Sequence, residues 1–215
     1  MNISPISLNT INKTSSSKKL SFGETPVCKI NLKRKQKDDT YKFIPAHFSK
    51  LTPSEDKDEL LVDRIKDVWG KRNDSYAVDI ASNFALQNGR SVNNNFYVIS
   101  RDDMKDPYRK ITCIMQTTST DERDKSKFSI DYLQAHPNIE NNPFSKIKGS
   151  GELSLYGCVK EAKEHGFKEV YISSSNNPFY EHLNLKPGAR NSTFIIDEAD
   201  YDSFLARIEE KYGIK

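Results

Sequence analysis

Between Ile130 and Leu185 the sequence runs through a strand-like segment, a glycine-bearing turn, an amphipathic helix and a second strand. This succession constrains the fold more than any other stretch, because a helix between two strands must cover its apolar stripe by lying across a sheet. The first strand carries Ile130-Asp131-Tyr132-Leu133-Gln134-Ala135-His136-Pro137, and the turn is Lys146-Ile147-Lys148-Gly149-Ser150-Gly151. It opens directly onto a helix with Leu155, Val159 and Ala162 along one side. Glycines here let backbone N–H groups converge, and the helix N-terminus adds positive partial charge, which together suit a phosphate or diphosphate. An ordinary flexible turn gives the same short pattern. No Gly-x4-Gly-Lys-Ser/Thr motif occurs, and the third glycine of a dinucleotide fingerprint is absent, so both of those nucleotide loops are set aside.

The rest of the chain supplies elements of the same kind. A short strand over 46–51 leads into Thr52-Pro53-Ser54-Glu55, which reads as a capping box with proline at the first helical position. Leu61, Ile65 and Val68 then fall on one helical face, flanked by Leu60 and Trp69, and Gly70 ends the helix. A second helix is expected over 75–87, with Tyr76, Ile80 and Phe84 in line. Strand-like runs follow at 96–100, 111–117 and 127–135, joined by polar connectors short enough for an antiparallel meander. Beyond the central helix come a strand at 169–173, a short helical piece at 179–183 and a strand at 193–196. A last helix opens at Asp197 with Tyr201, Leu205, Ile208 and Tyr212 at helical spacing. The pattern is that of a mixed-sheet α/β domain.

A chain of 215 residues with 35% hydrophobic content builds one ordinary core. The first 40 residues, rich in Ser, Asn and Lys, are expected to be a disordered basic tail, with the folded domain over 41–215. Leu20 and Phe22 are candidates for a short docking element in that tail. Lys29, Lys33, Arg34, Lys35 and Lys37 form a basic run that reads as a solvated tail, and a net charge of +3 does not point to nucleic acid. The cysteines Cys28, Cys113 and Cys158 lack metal-ligand spacing and read as free thiols, so no metal is expected. No apolar run approaches a membrane span, and a cytoplasmic protein without membrane contact is expected.

The ordered set of segments resembles the GNAT superfamily of N-acetyltransferases. That family's pattern is a strand ending like Leu-x-Val-x-Pro, then Arg/Gln-x-x-Gly-x-Gly-Ala/Gly, a helix, a strand and a Tyr-Glu-x-Leu-Gly-Phe-like turn. Here the counterparts are Leu133 to Pro137, Lys146 to Gly151, Ala162 to Phe167 closing the helix, Val170-Tyr171-Ile172, and Tyr180-Glu181-His182-Leu183-Asn184-Leu185. The resemblance implies a mostly antiparallel central sheet flanked by helices, with a parallel strand pair that splays to receive acetyl-CoA. It implies that backbone groups of Leu133, Gln134 and Ala135 meet the pantetheine arm, and that N–H groups from Ile147, Lys148, Gly149, Ser150, Gly151 and Glu152 hold the diphosphate. Lys146 or Lys148 would meet a further phosphate as point charges, and Asn176 joins the cofactor-binding set. Tyr180 matches the position that protonates the departing CoA thiolate. The acceptor implied is a primary amine on a small molecule or a protein, and a homodimer is left open.

Several residues depart from the family pattern. Lys146 replaces Arg or Gln, Asn184 replaces Gly, the loop 138–145 is longer than is common, and the stretch 173–180 is shorter. Glu152 would repel a phosphate if it faced one. Asp131 and His136 lie near the right strand for a general base, but alternation leaves their faces open. The other histidines, His47, His165 and His182, read as surface or packing residues, and Cys158 as core. These features keep a second reading in view, a GNAT-shaped module that binds CoA or a protein without turnover. A third makes the basic tail an adaptor and the domain its scaffold.

Overall fold

Strands β3 (Asn94–Arg101) and β4 (Ile111–Ser119) bury successive residues rather than alternate ones. A strand does this only when both faces of its sheet are covered. The structure is a computed structural model in which residues 25–72, 75–87, 94–120, 124–140, 142 and 144–215 are described. Before β3 come β1 (Thr25–Lys35), β2 (Tyr41–Leu51), α1 (Asp56–Trp69) and α2 (Ala77–Gln87). After β4 come β5 (Phe128–Ala135), β6 (Ile147–Lys148), α3 (Ser150–Glu164), β7 (Glu169–Ser173) and α4 (Asn177–His182). The chain closes with β8 (Lys186–Pro187), β9 (Thr193–Asp197) and α5 (Tyr201–Tyr212).

Among the described residues these strands form one nine-stranded sheet in the order β6-β1-β2-β3-β4-β5-β7-β9-β8. Every neighbouring pair is antiparallel except β5 and β7. One face is covered by α1 and α2, whose Leu61, Ile65, Trp69, Ile80 and Phe84 meet Leu51, Phe96, Val98 and Ile114 of the sheet. The other face is covered by α3 and α5, where Leu155, Val159, Phe204 and Ile208 share a core with Phe48, Tyr97, Met115 and Ile130. Within that second core the Tyr97 hydroxyl donates to Glu161 Oε2 at 3.0 Å, giving the buried carboxylate of α3 a partner on β3. All three cysteines are free and buried. Cys158 packs its Sγ 3.5 Å from Met115 Sδ. No helix among the described residues is long and apolar enough to cross a membrane.

Two local expectations are corrected. The first concerns the start of the sheet, because β1 pairs with β2 along almost its whole length and buries Cys28, Ile30 and Leu32. The boundary at 41 therefore falls inside a hairpin. Cys28, Ile30 and Leu32 alternate with Lys29, Asn31 and Lys33, a period-two strand signal that the reading of the basic run as a tail passes over. Leu20 and Phe22 lie outside the described residues. The second concerns α1, which starts at Asp56 rather than Pro53, with Glu55 as an N-cap that makes no side-chain hydrogen bond. The Thr52 N–H instead donates to Asp58 Oδ2 at 2.8 Å, so the fully buried Asp58 carboxylate stabilises the turn that the capping box was expected to form.

Candidate active site

The parallel pairing of β5 with β7 is short. Phe128, Ser129 and Ile130 pair with Val170, Tyr171 and Ile172, and no later residue of β5 pairs with β7. Beyond Ile130 the strands separate, and a cleft of about 250 Å³ opens beside them. Leu133 and Ala135 form one wall; Ile147, Lys148, Gly149, Ser150 and Gly151 lie at one end, and Asn176, Phe179 and Tyr180 at the other side. Backbone groups freed where two parallel strands part are donors and acceptors that a linear amide-bearing ligand can pair with.

The turn at the end of the cleft is held in shape by two contacts. Gly149 is the N-cap of α3 with φ of 102°, a left-handed conformation that side chains disfavour, and a Cβ there would sit 2.5 Å from the Tyr212 ring. A Cβ on Gly151 would meet the Phe179 ring at 2.8 Å, so the helix start and α4 approach as closely as glycine allows. The Ser150 hydroxyl is buried and has no hydrogen-bond partner among the described residues. A buried hydroxyl without a partner is costly, and here it sits where a helix presents its unpaired N–H groups.

Tyr180 is only 6% exposed, packed edge-on to Phe179 and stacked on Phe194 at 5.2 Å. Burial pushes its phenol up, with Cys113, Cys158 and Tyr76 adding smaller effects, so it stays protonated at neutral pH. Asn176 caps α4 through its side-chain oxygen, which accepts from the Phe179 N–H. Asp131 stands where the strands part. The β4–β5 register jumps there, with Gln116 opposite Tyr132 and Thr117 opposite Ile130, which leaves Asp131 as the extra residue of a bulge. The Thr118 hydroxyl donates to its carboxylate. Desolvation raises its pKa, against smaller lowering effects from Thr118 and Lys127.

Other residues singled out in the sequence lie elsewhere. Gln134 faces away from the cleft, and its Oε1 accepts from the Ala77 N–H at 2.8 Å and from Ser75 Oγ at 3.1 Å, securing the start of α2. Strand alternation explains this, since Leu133 and Ala135 point one way and Gln134 the other. Lys146 does not line the cleft, and its carbonyl accepts from the Lys35 N–H at 2.8 Å. The Glu152 carboxylate does not line it either, being held by Lys211 Nζ at 2.7 Å. His136 borders a different groove with Arg64, Trp69 and Tyr108, its Nδ1 accepting from the Asn138 N–H and burial lowering its pKa. Burial also pushes the Cys113 thiol up to about 12 and Cys28 to about 11, so neither is a ready nucleophile. Tyr76, Ile139, Glu140, Ser175 and Phe179 line the cleft without having been picked out. For Tyr76 a signal existed, an aromatic at the first turn of the second helix, but its 5.5 Å contact with Tyr132 joins segments far apart in sequence.

No protein-family model and no curated protein matches this sequence. Solved structures do match its fold. A candidate acetyltransferase of the GNAT family from Desulfovibrio desulfuricans aligns over 71% of this chain and 99% of its own, with a TM-score of 0.52 and 14% identity. The chain has the GNAT fold. AtaT, in a complex with acetyl-methionyl-tRNAfMet, aligns over 74% of this chain and 98% of its own, with a TM-score of 0.50 and 11% identity. An uncharacterised Bacillus halodurans protein aligns over 85% and 97%, with a TM-score of 0.53 and 7% identity. The splayed parallel pair β5 and β7 gives this GNAT-type sheet its cleft, and the glycine turn, α3 and α4 line it. Among the described residues no group of three or more His, Cys, Asp or Glu side chains is arranged to hold a metal ion.

Proposed function

We propose that the chain is an N-acetyltransferase that moves an acetyl group from acetyl-CoA to a primary amine, acting within the cell interior. The observation that carries this reading is the cleft where β5 leaves β7, closed at one end by Gly149-Ser150-Gly151 at the start of α3 and flanked by the buried phenol of Tyr180. Backbone groups of Leu133 and Ala135 suit a pantetheine amide, and the N–H groups of Ser150 and Gly151, with the Ser150 hydroxyl, suit a diphosphate. Acetyl-CoA supplies an activated thioester. Tyr180 gives its proton to the departing thiolate sulfur, a role that fits a phenol kept neutral by burial. Asp131 stands one residue past the last β5–β7 pair and outside the cleft lining, so it takes the proton of the incoming ammonium through an intervening water, its basicity raised by desolvation.

The alternative of a silent binding module rested on Glu152, on the long loop 138–145 and on the want of a base, and the loop still speaks for it. Glu152 is engaged by Lys211, and Asp131 occupies the bulge, so the catalytic reading is the better supported. Isothermal titration with acetyl-CoA tests the proposal, with Gly151→Leu as the comparison. Micromolar binding that the variant abolishes is expected, since the leucine would occupy the gap against Phe179. No binding at millimolar acetyl-CoA would remove the proposal.

A further inference from the structure

The basic run near the N-terminus does not stay apart from the cleft. In the β1–β6 ladder Lys33 lies directly opposite Lys148, and the Lys35 N–H donates to the Lys146 carbonyl two residues along. Residues directly opposite across antiparallel strands project on the same side, and like charges so placed destabilise the pair. Neighbouring cations of this corner have carboxylates: Lys35 has Asp39 at 2.6 Å, Lys211 has Glu152 at 2.7 Å, and Arg34 has Asp103. Among the described residues neither Lys33 nor Lys148 has one within ion-pair distance. Lys148 borders the cleft, and its Nζ reaches only the Asn142 carbonyl, at 3.4 Å. Lys33 Nζ stands 5.1 Å from the centre of the Tyr212 ring, the ring that packs on Gly149. Two ammonium groups without carboxylate partners among the described residues thus stand on the same side of the β1–β6 ladder beside the turn proposed for the diphosphate, at an electrostatic cost that an added anion would remove.

We propose that Lys33 and Lys148 together seat the ribose 3′-phosphate of CoA, so that this chain distinguishes CoA from its 3′-dephospho form. The inference rests on the acetyl-CoA reading above. The diphosphate has the backbone donors of α3 to satisfy it, whereas a phosphate monoester carries close to two negative charges at neutral pH and matches two ammonium groups. Lys33, rather than Lys146, is then the partner of Lys148.

Calorimetric titration of acetyl-CoA and acetyl-3′-dephospho-CoA into the wild type, Lys33→Ala and Lys33→Glu tests this. The wild type is expected to bind acetyl-CoA about tenfold tighter than the dephospho form. Lys33→Ala should remove most of the preference for acetyl-CoA, the remainder being held by Lys148, and leave the dephospho affinity unchanged. Lys33→Glu should erase the preference, and should raise the unfolding temperature of the free protein by replacing a like-charge pair with an opposite one. Equal weakening of both ligands in the variants, or equal affinity of the wild type for both, overturns the 3′-phosphate seat alone. If the wild type binds neither ligand, the acetyl-CoA reading fails and the seat fails with it.

Discussion

A phenol and a carboxylate, each raised in pKa by burial, carry the two proton transfers of the proposed reaction. Tyr180→Phe keeps the ring between Phe179 and Phe194, so stability and acetyl-CoA affinity should hold while turnover falls roughly a hundredfold; an unchanged rate would remove Tyr180 from the chemistry. For Asp131 the same shift acts on rate and on stability. Its folded pKa lies above its unfolded value, so the native state binds the proton more tightly and loses stability as pH rises through that interval. Asp131→Asn should therefore abolish the acidic limb of the pH–rate profile and leave a slow enzyme. It should also raise the unfolding temperature at pH 7 while making little difference below about pH 4, where the unfolded carboxyl is protonated too. Glycine spacing singles out Gly149 and Gly151, the tyrosine turn singles out Tyr180, and Asn176 comes from the family resemblance alone; all four line the cleft. Asp131 was visible but ambiguous, because a bulge breaks the period-two rule by which a strand residue is assigned to a face.

Helix α5, from the far end of the sequence, packs against the glycine turn that borders the cleft. Tyr212 packs on Gly149, and Lys211 neutralises Glu152 at the first turn of α3, with Nζ 2.7 and 2.9 Å from the two carboxylate oxygens. Lys211→Ala should weaken acetyl-CoA binding several-fold by leaving the Glu152 charge uncompensated at the first turn of α3, and adding Glu152→Gln should restore most of the loss. A double variant no better than Lys211→Ala would mean that the lysine touches the ligand itself. The helices were the most legible elements: Tyr201, Leu205, Ile208 and Tyr212 are all buried, as their spacing implied. In α1 the apolar stripe is too broad to fix its own edges, and Val68 is 45% exposed while Val62 is 2% exposed. The two-residue strands β6 and β8 have no periodicity to read, and each is defined only by its partner.

Across the whole molecule, β1 decides what the N-terminal region contributes. A chain lacking residues 1–24 keeps the whole of β1 and serves as the reference for unfolding temperature and acetyl-CoA affinity. Removing residues 1–37 should unfold the domain or cost several kcal/mol, since it takes away the buried Cys28, Ile30 and Leu32 and bares the edge of β2. Equal stability of the two truncations, followed by thermal denaturation, would mean that β1 is dispensable. The adaptor reading treated this segment as a free tail, and the β1–β2 hairpin gives it a place in the sheet instead. The same strand has a consequence in time. The first strand of the sheet holds β6, which leaves the ribosome only after β5 and its following loop, so the glycine turn takes its final shape late, through a pairing between distant parts of the chain. Such non-local closures are slow steps. In pulse-labelled refolding, the amides of Ser150 and Gly151 should gain protection later than those of the β3–β4 hairpin, and acetyl-CoA should bind only after that last phase.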